Sequence, residues 1–148
     1  MKLNLLTAAA ITIFTLSATA CTQTSAPETK TVVQEAAAQN ISAGTFSGRS
    51  DHITTGTATL VKTANGYNIV LSGDFELDGA PDPVVAVGNN ETYAVANKLG
   101  ALKNRTGGQS YALPANITPG QFSQVYIWCE KFSVPLGVAE LSGSAKGS

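Results

Sequence analysis

A chain of 148 residues accommodates one domain plus extensions and no more. Hydrophobic residues supply 43% and charged residues only 13%, so a real core is expected beneath a sparsely charged surface. With a formal net charge of -1 and no basic patch or arginine cluster, the composition argues against nucleic acid as a partner.

The N-terminus reads as a targeting segment. Lys2 is a minimal positive region and Leu3 to Leu16 are largely apolar. Small residues then lead into a cysteine, Ser17-Ala18-Thr19-Ala20-Cys21. This resembles a bacterial lipobox, in which the peptide is cut before the cysteine and the thiol is lipidated. Ala18 stands where leucine is usual. An uncleaved membrane helix and a plain secretory cleavage near Ala20 are the alternatives, but the apolar run is short and its end is rich in small residues. The expectation is a signal peptide over 1–20, then a lipidated Cys21 and flexible tether over 21–40. The tether is rich in Thr, Ala, Gln and Glu and lacks the apolar pattern of a core. Cys21 would hold the protein to a membrane of the bacterial cell envelope, and Thr22 in place of aspartate favours the outer membrane by analogy with enteric bacteria.

From about Ile41 the texture is all-β, with short β-branched runs broken by glycine, asparagine and proline. Thr55 to Lys62 alternates, Asn65-Gly66 signals a hairpin, and Tyr67 to Leu71 returns towards Phe75. Leu77 to Pro83 reads as turn, Val84 to Val87 as a short buried strand, and Leu99 to Leu102 as another. Ser110 to Leu113 follows the turn at Thr106-Gly107-Gly108, and Ile117 to Gln121 is a loop. The run Val125 to Phe132 has no glycine or proline and is apolar on both faces, as a central strand is. Val125, Ile127 and Cys129 share one face; Tyr126, Trp128 and Glu130 share the other. Beyond it Phe132, Val134, Leu136 and Val138 alternate, with Pro135 predicting an edge or a bulge. Together these predict an antiparallel β-sandwich or barrel-like domain over 41–148.

Chemistry has few carriers. If Cys21 is lipidated, Cys129 is left without a partner in an oxidising compartment, where a thiol is buried, ligated or used. In an unprocessed chain it could pair with Cys21. A neighbouring Lys131 would favour a thiolate while burial would oppose it. His52 is the sole histidine, in the polar loop Arg49-Ser50-Asp51-His52. It is a candidate ligand beside Cys129, or a loop residue bonding the backbone. No second histidine or third cysteine completes a zinc site, and the haem-attachment motif C-x-x-C-H is absent. A cysteine–histidine or serine hydrolase lacks any local signature. The acidic stretch Asp74, Glu76, Asp78, Asp82 lacks an EF-hand's spacing and reads as a solvated turn.

Several separated pieces, in order, resemble the DM-13 domain family, also called the electron-transfer DM domain. They are Gly44-Thr45-Phe46, His52 with Gly56, Phe75, Pro81-Asp82, Leu99 to Lys103, Tyr111 to Pro114, Ile127-Trp128-Cys129, Phe132 and Gly137 to Leu141. One departure is Ala80-Pro81-Asp82-Pro83, where the family more often has Gly-Pro-Asp followed by an apolar residue. The resemblance implies an extracellular β-domain whose cysteine, Cys129 here, is a redox-active thiol or attaches a prosthetic group such as haem. On that basis Cys129 is the candidate reacting residue, and Cys129 with His52 the candidate cofactor ligands. Trp128, Tyr111 and Asp82 are candidate surface or supporting residues, and a redox protein is the expected partner. The alternative is a non-catalytic ligand- or protein-binding β-module with Cys129 as core.

Overall fold

Eleven strands form in the computed structural model, which describes residues 38–143. The signal-peptide and Cys21 readings lie outside the described residues. β1 (Gln39–Gly48) begins inside the stretch read as tether. It is followed by β2 (Thr54–Thr55), β3 (Thr57–Thr63) and β4 (Gly66–Leu71), the last two joined by the predicted hairpin, in which Thr63 faces Gly66. Next come β5 (Glu76–Leu77), β6 (Pro83–Gly88), a 3-10 turn at Val95–Asn97, β7 (Lys98–Ala101) and β8 (Gln109–Ala112). β9 (Gln124–Cys129), β10 (Val134–Glu140) and β11 (Ser142–Gly143) complete the chain's described part.

The sheet is antiparallel throughout, in the order β7-β6-β9-β10-β1-β3-β4-β8, with β11 extending β10's line along β1. Its twist curls it into a nearly closed barrel, with the edge strands β7 and β8 facing across a seam. The fold is therefore the barrel-like form of the predicted all-β domain. The interior holds Phe46, Ile69, Leu71, Phe75, Val85, Val125, Ile127 and Leu136, all at most 5% exposed. Burying each such side chain contributes about 1.5–3 kcal/mol.

Two strands depart from the predicted pattern for physical reasons. β4 stops at Leu71, because Ser72 to Asp74 turn the chain so that Phe75 drops into the core, its ring 5.5 Å from Phe46. In β10 the register slips between Pro135 and Gly137, a bulge that accommodates a proline lacking an N–H. β10 lies inside the sheet, so the edge alternative for Pro135 does not hold. The bulge also breaks the alternation: Leu136 and Ala139 face the main core, while Val138 joins a cluster on the outer face.

β9 is the central strand the sequence predicts, paired with β6 on one side and β10 on the other, and all six residues are buried. Val125, Ile127 and Cys129 face the barrel interior. Tyr126 faces outward with Ala86 and Val138, and Tyr93, from the β6–β7 connection, covers them. The strand ends at Cys129, so Lys131 lies in the following turn and Phe132 is 63% exposed at its tip.

Candidate functional site

Cys129 is the last residue of β9, opposite Pro83 of β6 and Val134 of β10. Its side chain is 1% exposed and packs in the main core, yet the sulfur is not surrounded by hydrocarbon alone. The Sγ–H donates to the carbonyl of Pro81 at 3.1 Å. The Glu130 N–H donates to the carbonyl of Asp82 at 3.3 Å, so the Asp78–Asp82 loop folds over the end of the strand. In that loop Pro81 and Asp82 are exposed, and Asp82 takes a left-handed φ of 45°. Asp82 thus contributes its backbone to the cover, which its side chain does not join in any hydrogen bond among the described residues.

The same loop is held at its other end by His52. The Asp78 carboxylate accepts from His52 Nδ1 at 2.9 Å and from the Ile53 N–H at 3.1 Å. Those two hydrogen bonds, His52 first, hold the Asp78 carboxyl below its ordinary range. An ionised carboxylate only accepts, so Nδ1 carries a proton and, in the neutral ring, Nε2 the lone pair. Beneath the loop, β2 and β5 pair Thr54 with Leu77 and seal this end of the barrel. Thr54 Oγ1 donates to the carbonyl of Leu136 at 2.8 Å. The Arg105 guanidinium lies against Gly79, where an added Cβ would be 2.7 Å from Nη1.

The two candidate ligands are therefore engaged separately: His52 on Asp78, Cys129 on the Pro81 carbonyl. Among the described residues no three His, Cys, Asp or Glu groups gather as a metal site. A thiol packed among core side chains beneath a carbonyl does not present its sulfur to a haem face, and these residues do not fit that group.

Tyr111 is a core residue, 4% exposed, at the β7–β8 seam. Its hydroxyl donates to Gln109 Oε1 at 2.7 Å and accepts from the Lys103 N–H at 2.9 Å. Gln109 in turn bonds Asn104 through both its amide groups, shaping the loop that supplies Arg105. Trp128 lies on the outer face, 9% exposed, stacked under Tyr93 with ring centroids 5.0 Å apart and planes 14° from parallel.

Comparison with protein families gives one finding. The model described as Electron transfer DM13 matches residues 45–141, which is 97 of the chain's 148 residues. The chain belongs to the DM13 family. No curated protein and no solved structure matches it. The match runs from the second half of β1 to just past the end of β10 and includes both candidate ligands and the whole Cys129 end of the DM13 barrel.

Residue-level reading missed the groups that define this end. Pro81 acts through its carbonyl, which sequence does not advertise, and Asp78 was read only as part of a solvated acidic turn. An open hollow of about 320 Å³, lined by Asn40 to Ala43 and Ser142 to Gly143, lies at the opposite end of β1 and contains neither Cys129 nor His52. The chemistry-bearing residues lie elsewhere.

Proposed function

We propose that the chain is an envelope-anchored electron-transfer domain in which Cys129 is the redox-active sulfur, sheltered by the Asp78–Asp82 loop. One observation carries this reading: the thiol's polar contact is to a loop at the barrel's end. Opening that loop uncovers the sulfur while the barrel stays folded. Membership of a family described as electron transfer supports it. The Ser17-Ala18-Thr19-Ala20-Cys21 motif supports the anchor and Thr22 the outer membrane, while the family description supports a redox protein as partner. The 1% exposure of Cys129 favours a second reading, a non-catalytic binding module with the cysteine as core.

The test uses the full chain beside Cys129→Ser, with visible spectrum, intact mass and native-state thiol labelling mapped to Cys129. Labelling of Cys129 much faster than global unfolding is expected. A colourless, unmodified protein whose Cys129 reacts only as fast as the barrel unfolds would transfer the assignment to the binding module. Intact mass also reads lipidation, and Cys21→Ala is expected to move the protein out of the membrane fraction. A protein that stays membrane-bound would sink the anchor.

A further inference from the structure

The outer face of β9 carries a second arrangement with redox chemistry of its own. Tyr93 stacks on Trp128, and its hydroxyl donates to Glu130 Oε1 at 2.6 Å. Glu130 Oε2 accepts from Lys98 Nζ, also at 2.6 Å. From this geometry we propose that Tyr93 is a proton-coupled one-electron redox centre, with Trp128 as its electronic partner and Glu130 as its proton acceptor. This inference does not require Cys129 to react.

The chemistry sets the requirement. A phenol that loses an electron becomes so strong an acid that the electron leaves readily only where a base takes the proton at once. Tyr111 and Tyr126 each donate to a glutamine amide oxygen, at 2.7 Å in both cases, and an amide is no base at neutral pH. Tyr93 is the tyrosine, among the described residues, that donates to a carboxylate. Lys98 and the Tyr93 hydroxyl hold the Glu130 carboxyl below its ordinary range, so Glu130 is ionised and ready to accept. Burial and the same carboxylate push the Tyr93 phenol up to about 12, so it rests fully protonated.

The step balances with a one-electron oxidant of the metal-centre class docking on this face. The oxidant is reduced by one electron, and the phenolic proton moves along the hydrogen bond to Glu130 Oε1. The products are a neutral tyrosyl radical and a carboxylic acid whose other oxygen still faces Lys98. If Trp128 is oxidised first, its radical cation takes the electron from Tyr93 while the same proton moves to Glu130, and charge again balances.

The experiment is flash-quench oxidation of the full chain by photogenerated ruthenium(III) tris-bipyridine, read by transient absorption and electron paramagnetic resonance. A neutral tyrosyl radical is expected in the wild type. Tyr93→Phe, which keeps the ring stack, is expected to abolish it and leave a tryptophan radical. Glu130→Gln keeps an acceptor but removes the base, and is expected to slow tyrosyl formation about 100-fold and weaken its solvent isotope effect. Tyrosyl signal persisting in Tyr93→Phe would overturn the assignment of the centre. Unchanged kinetics in folded Glu130→Gln would overturn the role of the carboxylate.

Discussion

Gly137 is where the cover over Cys129 meets the barrel, and replacing it by alanine tests that cover. A Cβ at 137 would lie 2.6 Å from Thr54 Cβ, Cγ2 and Oγ1, closer than packed heavy atoms sit. Thr54 is 3% exposed, pairs with Leu77 in the β2–β5 ladder and donates to the Leu136 carbonyl, so it has no free space to retreat into. Gly137→Ala therefore pushes β2 away from β10. Overpacking of this kind costs about 1–3 kcal/mol, and losing the buried hydrogen bond costs about 0.5–1.5 kcal/mol more. The sum is about 1.5–4.5 kcal/mol. Leu77 runs directly into the Asp78–Asp82 loop, so the strain falls on the segment that covers the thiol. If β2, β5 and that loop open as a unit, native-state labelling of Cys129 accelerates about 10- to 2,000-fold. The assay is thiol labelling of wild type and Gly137→Ala across a urea series, beside global stability from the same series. Thr54→Gly, which removes the clashing atoms, is expected to restore part of the wild-type rate in the double variant. Labelling that tracks global unfolding at every urea concentration in both proteins would refute the reasoning, since the cover would then have no opening of its own.

Two further outcomes follow from buried hydroxyls. With its phenol raised from 10 to about 12, Tyr93 contributes stability that is fully present below pH 10 and is lost as pH rises through about 12. Burial also raises the Tyr111 and Tyr126 phenols, so absorbance titration is expected to show a late-ionising group of tyrosines. Tyr93→Phe is expected to remove one member of it and its share of the alkaline destabilisation; a titration unchanged by the substitution would contradict the assignment. Tyr111→Phe strands the Lys103 N–H without its acceptor and removes a donor to Gln109, with an expected loss of about 1–3 kcal/mol in urea unfolding. A loss below about 0.5 kcal/mol would mean that the seam is held by packing alone.

β9 was legible because its residues state their own conformation. The run Val125 to Phe132 has no breaker and both its faces are apolar, so alternation placed Cys129 and Trp128 on opposite faces. Barrel closure decided which face is inward, and the strand ended at Cys129. Pro135 announced an edge or a bulge, and the bulge is what formed. β1 was not legible, since Ser42, Ala43, Gly44, Ser47 and Gly48 are poor strand formers. It is a strand because β3, β10 and β11 pair with it, and Gly44 passes so close to the Glu140 carbonyl that no side chain fits. β2 and β5 have two residues each and exist only through each other. At the site, His52 and Cys129 stood out by their rarity, but what engages them did not. Asp78 is 26 residues from His52, and Pro81 is 48 from Cys129. Such pairings are set by barrel closure, which no local pattern encodes.

Strand alternation has a chemical consequence at the end of β9. Trp128 and Cys129 are chain neighbours, with Cα atoms about 3.8 Å apart, yet one faces outward beneath Tyr93 and the other inward beneath Pro81. One thickness of sheet thus separates an aromatic pair bonded to a carboxylate from a sulfur that a loop covers. The two have different side-chain supports, Glu130 and Lys98 on the outside and the His52–Asp78 pair and β2 on the inside, and meet only at the Glu130 N–H, which donates to the Asp82 carbonyl. A substitution that loosens the Asp78–Asp82 loop therefore changes access to the sulfur without touching the Tyr93 hydrogen bond. Replacing Glu130 by glutamine does the converse. An electron-transfer role resting on either group alone can thus be told from one that uses both, because only a shared path makes the lifetime of oxidised Tyr93 depend on the presence of the Cys129 thiol.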